Sequence, residues 1–207
     1  MTAGGRGIVF DRDGTLIDVV RDEETGVIST AFHPDQIVLL PGVVEGMRAL
    51  GDAGFVFGMA TNQPGPAKGH FSAAAVHRTN AALVARLAGQ GITVAAVEVC
   101  LHHPEGAPAG DATLIGPCDC RKPKPGMLLT LLRKLALAPE RSWMVGDSAA
   151  DVEAGAAAGV RTGLVFPRNR CELCPLRAGV GAASSTAVPT VHGATILAVA
   201  QAILAAP

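Results

Sequence analysis

The chain has 207 residues, with 17 Lys+Arg against 18 Asp+Glu and a formal charge of −1. That length suits one domain with a core that needs no disulfide or metal staple, and 49% hydrophobic against 17% charged residues argues against disorder. Charge balance speaks against a general nucleic-acid binder, and 3% aromatics with no Tyr speak against a base-stacking surface. Ile8, Val9 and Phe10 are too short for a secretory apolar region. The apolar segment from Ala194 to Ala206 falls short of the ~20 residues a membrane span needs. A cytoplasmic, reducing setting is therefore expected, where clustered thiols more often bind metal or do redox chemistry than pair.

In chain order, Ile8-Val9-Phe10 reads as a buried strand ending at an acidic, glycine-containing turn. Val43, Val44, Met47 and Leu50 recur at helical spacing, with Gly54 as the stop. Phe55 to Ala60 is a second strand, closed by Thr61-Asn62-Gln63-Pro64-Gly65. Ser72 can cap a helix carrying Val76, Leu83, Val84 and Leu87, ended by Gly89 and Gly91. Val94 to Val99 is the third strand, and Cys100 to Pro125 is too punctuated by Pro, Gly, Cys and His for regular structure. Leu128, Leu131, Leu132 and Leu135 mark a helix, and Trp143-Met144-Val145 a fourth strand. Ser148 caps a helix over Val152 to Ala158 that Gly159 ends, and Thr162 to Phe166 is a fifth strand. A short strand near Val188 and a helix with Ile196, Val199, Ile203 and Leu204 complete the chain. Strands separated by helices of this length predict an α/β fold, a parallel sheet with helices on both faces, as a single domain over residues 1–207.

In such folds ligands bind beyond the carboxyl ends of the strands. The residues there are Asp11 and Asp13, Thr61 and Asn62, Cys100 and His102, and Asp147 and Asp151. Two carboxylates two residues apart can act as a nucleophile and a proton donor. A carboxylate nucleophile can take a phosphoryl group and split one hard displacement into two. Mg²⁺ would relieve the repulsion between carboxylate and phosphate dianion, with Asp147 as a further oxygen source. Thr61 and Asn62 offer neutral donors and Lys122 a positive charge to the phosphoryl oxygens. An acidic pair after a strand is by itself most often a solvated turn or cap. A calcium loop, with Asp11, Asp13 and Asp22 at ligand positions one, three and twelve, fails because Leu16 stands where the sharp turn requires Gly. The glycine-rich loop ending in Gly-Lys-Ser/Thr is absent.

Cys100-Leu101-His102-His103 and Cys118-Asp119-Cys120 place three thiols and an imidazole on either side of a loop of about residues 100–123, a set suited to tetrahedral Zn²⁺. A closed set of four would be structural, and His103 is an alternative to His102. Reduced cysteines buried for packing are the competing reading. Cys171-Glu172-Leu173-Cys174, within a loop of about 167–189, supplies only two ligands and reads as a surface loop with two incidental thiols.

Four ordered motifs resemble those of haloacid dehalogenase-type phosphatases. They are Asp11-Arg12-Asp13-Gly14-Thr15-Leu16, Thr61-Asn62-Gln63, Lys122-Pro123-Lys124-Pro125 and Gly146-Asp147-Ser148-Ala149-Ala150-Asp151. The resemblance implies a Rossmann-like sheet with little or no cap. It implies Asp11 as nucleophile, and Asp13 as general acid and then base. It also implies Thr61 and Lys122 on the phosphate, Mg²⁺ on Asp11, the Asp13 backbone carbonyl and Asp147, and Asp151 in support. Cys100 to Pro104, Cys118 to Pro123 and the loop from Thr61 to Phe71 are similar to the heptose-1,7-bisphosphate 7-phosphatases and the related histidinol-phosphate phosphatases. In these the zinc loop replaces a cap and places the Arg-Lys pair, which implies that Arg121 binds substrate. The expectation is a monomeric enzyme removing the 7-phosphate of a heptose bisphosphate for surface-polysaccharide synthesis. Its partner would be a small sugar phosphate, with no nucleic acid and no membrane. Histidinol phosphate is the alternative substrate, and a zinc-stabilised binding module the non-enzymatic alternative.

Overall fold

Largely apolar runs of three to seven residues form a sheet, and the amphipathic segments between them form its two covers. The computed structural model describes residues 4–24, 26–166 and 188–207. In chain order the elements are β1 (Gly7–Phe10), β2 (Val20–Arg21), β3 (Ile28–Ser29), α1 (Val43–Asp52), β4 (Val56–Asn62) and α2 (Ala73–Ala88). Then follow β5 (Val94–Cys100), α3 (Gly126–Lys134), β6 (Trp143–Gly146), α4 (Ala149–Ala157), β7 (Arg161–Val165), β8 (Val191–Gly193) and α5 (Ile196–Ala205). Six strands form a parallel sheet in the order β5-β4-β1-β6-β7-β8, while β2 and β3 make a separate antiparallel hairpin. In register, Ile8 lies between Phe57 and Trp143.

Strand β1 is buried throughout and its side chains alternate between two cores. Ile8 and Phe10 pack with Met47 and Leu50 of α1, Leu83 and Leu87 of α2, and Val199 and Ile203 of α5. Val9 faces the other way, onto Met127, Leu128 and Leu131 of α3 and Ala154 of α4. Helices therefore cover both faces, as the strand–helix alternation predicts. No helix among the described residues is long and apolar enough to cross a membrane.

Several boundaries move for identifiable reasons. Strand β4 continues through Thr61 and Asn62, which pair with Val99 and Cys100 of β5, so these two residues sit on the sheet rather than in its closing turn. Helix α4 begins at Ala149, directly after the Ser148 cap, instead of at Val152. The last strand falls at Val191–Gly193, where Gly163, Leu164 and Val165 of β7 supply partners, while Val188 is exposed. The β2–β3 hairpin has strands too short to leave a period-two pattern. Residues 167–187, and with them Cys171 and Cys174, lie outside the described residues.

Candidate active site

At the carboxyl end of β1 the Asp11 N–H donates to the Val145 carbonyl at 2.8 Å, which ties Asp11 to β6. The chain then turns tightly, with the Leu16 N–H returning to the Arg12 carbonyl at 2.9 Å. Gly14 adopts φ +77°, and a Cβ there would lie 2.2 Å from Asp147 Oδ2. A Cβ on Gly146 would lie 2.2 Å from Asp151 Cγ. These two glycines are what let three carboxylates converge. Oxygens of Asp11, Asp147 and Asp151 lie within 4.8 Å of one another.

Lys122 enters this cluster from the loop after β5. Its ammonium donates to Asp11 Oδ1 at 2.6 Å and the Ala60 carbonyl at 2.8 Å, and pairs with Asp151 Oδ1 at 2.6 Å. Its backbone is clasped by Asn62, whose Nδ2 donates to the Lys122 carbonyl at 2.9 Å and whose Oδ1 accepts from the Lys122 N–H at 3.1 Å. The Lys122–Pro123 peptide is cis. Asp151 Oδ2 accepts from the Ser148 N–H at 3.1 Å and hydroxyl at 2.5 Å, so the residue that caps α4 also orients this carboxylate.

Three carboxylates face one ammonium, and the site is short of positive charge. Burial raises the Asp11 carboxyl to about 7; Lys122 opposes the rise, and Asp151 and Asp13 add to it. Burial, then Asp11 and Asp151, hold Asp147 well above the usual carboxylate range. Burial alone would lower Lys122, but Asp11 and Asp151 outweigh it and keep the ammonium above the ordinary lysine range. An all-oxygen donor set with excess negative charge fits a hard divalent cation.

The Asp13 carboxylate stands outside that cluster. Its oxygens accept from Arg12 Nε and Nη2, each at 3.1 Å, and from Gln63 Nε2 at 2.6 Å. Gln63 Nε2 also donates to the Thr61 hydroxyl at 2.8 Å, so the proposed acid and the proposed phosphate donor share one amide. The structure thus brings Asp11, Asp147 and Lys122 together, adds Asp151, and links Asp13 to Thr61 through Gln63. The Asn62 amide meets Lys122 backbone instead of facing open space. Arg121 donates from Nη1 to the His102 carbonyl at 3.3 Å, beside the thiol cluster.

That second cluster joins Cys100, His102, Cys118 and Cys120, whose donor atoms all lie within 4.8 Å. Cys100 Sγ is 3.0 Å from Cys120 Sγ and 3.7 Å from Cys118 Sγ, and His102 Nδ1 is 3.6 Å from Cys120 Sγ. His103 turns elsewhere: its Nδ1 accepts the N–H of Gly106 at 2.9 Å and of Glu105 at 3.2 Å. Burial, then the contact with Cys120, pushes the Cys100 thiol up. Cys118 moves down despite partial burial, because the backbone N–H of Arg121 and neighbouring thiols favour its thiolate. Three sulfurs and one imidazole nitrogen at these separations suit a tetrahedral metal of zinc's softness.

Sequence reasoning assigned no role to Gln63, Arg12 or Asn80. The local signal is Asn80 itself, an amide on the buried α2 face that also carries Val76, Thr79, Leu83 and Leu87.

Comparison with known proteins bears on this geometry. A family model described as HAD-hydrolase-like matches residues 119–166. The chain is 35% identical over 158 residues to the D-glycero-beta-D-manno-heptose-1,7-bisphosphate 7-phosphatase of Pseudomonas putida, covering 76% of this chain and 81% of that one. With the Escherichia coli protein of the same name the identity is 34% over 155 residues, covering 75% of each. The structure of the D,D-heptose 1,7-bisphosphate phosphatase from B. bronchiseptica, complexed with magnesium and phosphate, superposes with a TM-score of 0.71 at 28% identity over 96% of this chain and 98% of that one. A putative HAD-like phosphatase from Mesorhizobium loti gives 0.70 at 28% identity, over 97% and 88%. The motifs, the parallel sheet and these similarities agree, and the chain belongs to the D-glycero-D-manno-heptose-1,7-bisphosphate 7-phosphatase family of haloacid dehalogenase-like hydrolases.

Proposed function

We propose that the chain hydrolyses the 7-phosphate of D-glycero-D-manno-heptose 1,7-bisphosphate through a phosphoryl group held on Asp11. The observation that carries this reading is the Lys122 ammonium 2.6 Å from Asp11 Oδ1 with Asp147 and Asp151 alongside, which sets a nucleophilic carboxylate beside an ammonium and a donor set for a divalent cation. Asp11 attacks phosphorus as the bond from phosphorus to the C7 oxygen breaks. Asp13 gives its proton to that departing oxygen, and the product is heptose 1-phosphate with an aspartyl-phosphate. Asp13 then takes a proton from water as its oxygen attacks phosphorus, returning Asp11 and inorganic phosphate. Lys122 and Thr61 face the phosphoryl oxygens, and Arg121 faces the rest of the substrate. Asn62 serves through the Lys122 backbone that it holds.

Mg²⁺ would be held by the Asp11 and Asp147 carboxylates with the Asp13 backbone carbonyl, supported by Asp151, and would supply the charge neutralisation that lets a carboxylate meet a phosphate dianion. Zn²⁺ on Cys100, His102, Cys118 and Cys120 would be structural, since four protein ligands leave no open position. On this reading the chain works as one cytoplasmic, monomeric phosphatase domain that prepares heptose 1-phosphate for nucleotide activation. The heptose names carried by the relatives support this substrate over histidinol phosphate.

The test is phosphate release from both heptose bisphosphate anomers, fructose 1,6-bisphosphate and histidinol phosphate. We expect a heptose bisphosphate to lead histidinol phosphate by at least about tenfold in kcat/KM, ~1.4 kcal/mol of transition-state binding. The reverse order would overturn the substrate, and no release from any of the four would overturn the activity.

A further inference from the structure

Arg12 sits between the two aspartates in sequence, yet its side chain leaves the site and is fully buried. A buried guanidinium persists only where its donors are met. Here Nη1 donates to Asn80 Oδ1 at 2.6 Å, while Nη2 donates to the Thr30 hydroxyl and, at 2.9 Å, to the Ala31 carbonyl. With those partners fixed, the Nε and Nη2 edge grips both oxygens of Asp13, as a planar fork grips a carboxylate. Thr30 also donates to Gln63 Oε1 at 3.1 Å, so the amide that meets Asp13 is oriented by the same hydroxyl.

Asn80 is a costly residue for this place. It is 4% exposed on the apolar face of α2, and its Nδ2 has no hydrogen-bond partner among the described residues. A leucine would serve packing better, because a buried unsatisfied donor loses its hydration without return. The oxygen of Asn80 has one visible task, which is to hold Arg12. We propose that Asn80, with Thr30, is a positioning residue: it locks the Arg12 guanidinium so that Asp13 is aimed for proton transfer to the departing sugar oxygen. This rests on the reading of Asp13 as general acid. Proton donation matters for a strongly basic alkoxide and little for a leaving group stable as an anion, so the proposal predicts a substrate-dependent defect in leaving-group release, whereas the later attack of water, which also uses Asp13, is common to all substrates.

The experiment compares wild type, Asn80→Leu, Asn80→Asp and Asp13→Asn on the heptose bisphosphate and on p-nitrophenyl phosphate, following release of the leaving group in a single turnover with enzyme in excess, with melting curves for each. For Asn80→Leu we expect the single-turnover release of heptose 1-phosphate to slow 10- to 100-fold, while the single-turnover release of p-nitrophenolate stays within threefold. Asn80→Asp keeps an oxygen acceptor for Nη1 and should restore the ratio of the two rates to within threefold of wild type. Should Asn80→Leu not fold, Thr30→Val removes the hydroxyl acceptor and carries the same expectation. An equal loss on both substrates, or no loss on either, overturns the positioning role. If Asp13→Asn itself slows leaving-group release from both substrates equally, the assignment of Asp13 as leaving-group acid fails, and this proposal fails with it.

Discussion

The two side-chain clusters of this molecule are neighbours in sequence and opposite in electrostatics. The carboxylate cluster lies where β1 and β6 end and buries like charges around one ammonium; Asp11, Lys122 and Asp151 are almost wholly covered. The thiol cluster spans the end of β5 and the following loop, and apart from Cys100 its members are only half-buried. Thiols and imidazole can be neutral without metal, so the second cluster can exist without strain, whereas the first holds unmatched charge. A cluster that works against folding is expected where chemistry demands it, and one that closes a loop is expected where structure demands it. Breaking each should therefore separate activity from stability.

The largest effect should come from Asp11→Asn. Removing the nucleophile should cut phosphate release by at least about 10³-fold, roughly 4 kcal/mol in barrier, as measured by a phosphate assay. The same change removes one of three crowded carboxylates, so the metal-free protein should melt no lower than wild type. A variant that lost stability together with activity would contradict the account of Asp11 as a destabilising charge.

On the other side, Cys120→Ser should act mainly on stability. Cys120 stands two residues before Lys122, so loosening the loop should also slow turnover, by about 10-fold if one well-placed electrostatic contact is weakened by roughly 1.4 kcal/mol. Zinc measured by metal analysis should drop below half an equivalent, and the melting temperature should fall by about 5–10 °C, corresponding to roughly 2–3 kcal/mol for a chain of this length. Full zinc content in this variant would remove Cys120 from the ligand set.

Smaller again is Gly14→Ala. The φ of +77° and the 2.2 Å approach of a Cβ to Asp147 Oδ2 require either the turn or Asp147 to move. A cost of about 1–3 kcal/mol in folding is expected from the backbone term, read from denaturant unfolding, together with weaker Mg²⁺ binding by titration. Unchanged Mg²⁺ affinity would mean that Asp147 is free to yield.

What was legible in the sequence follows from this contrast. The parallel sheet and the strand-end positions of Asp11, Thr61 and Asp147 could be read because apolar runs and the polar residues after them are adjacent in the chain. The thiol set was legible because its ligands fall into two short groups, although only the fold shows His102 facing the sulfurs while His103 caps a turn. Contacts across long separations left no such trace. Lys122 meets Asp11 from 111 positions away and Arg12 meets Asn80 from 68 away. The Asn62 side chain, expected on the phosphoryl oxygens, clasps Lys122 backbone because β4 runs two residues further than its apolar content suggests. The β2–β3 hairpin and the position of β8 depend on pairing partners rather than on composition.

The last prediction concerns how pH and Mg²⁺ trade places. Asp11 titrates at about 7 in the metal-free fold, against 3.8 for an unperturbed carboxyl, so between those values the folded state holds a proton that the unfolded chain has released. The Asp11 contribution to the stability of the metal-free protein is therefore greatest at the acid end of that window and declines as pH rises through it, levelling above about 7. Mg²⁺ needs the ionised carboxylates, so its binding releases protons below about 7 and strengthens with pH over the same window. A ligand at 100 times its Kd stabilises by about 2.7 kcal/mol, which for this length is a shift of roughly 5–10 °C. The Mg²⁺-induced shift in melting temperature should thus be near zero at pH 5 and approach that size by pH 8. A chelated control should show the opposite slope. A Mg²⁺ shift that is constant across the range would mean that the ion binds without Asp11, and would break the link between the raised carboxyl and the charge the site lacks.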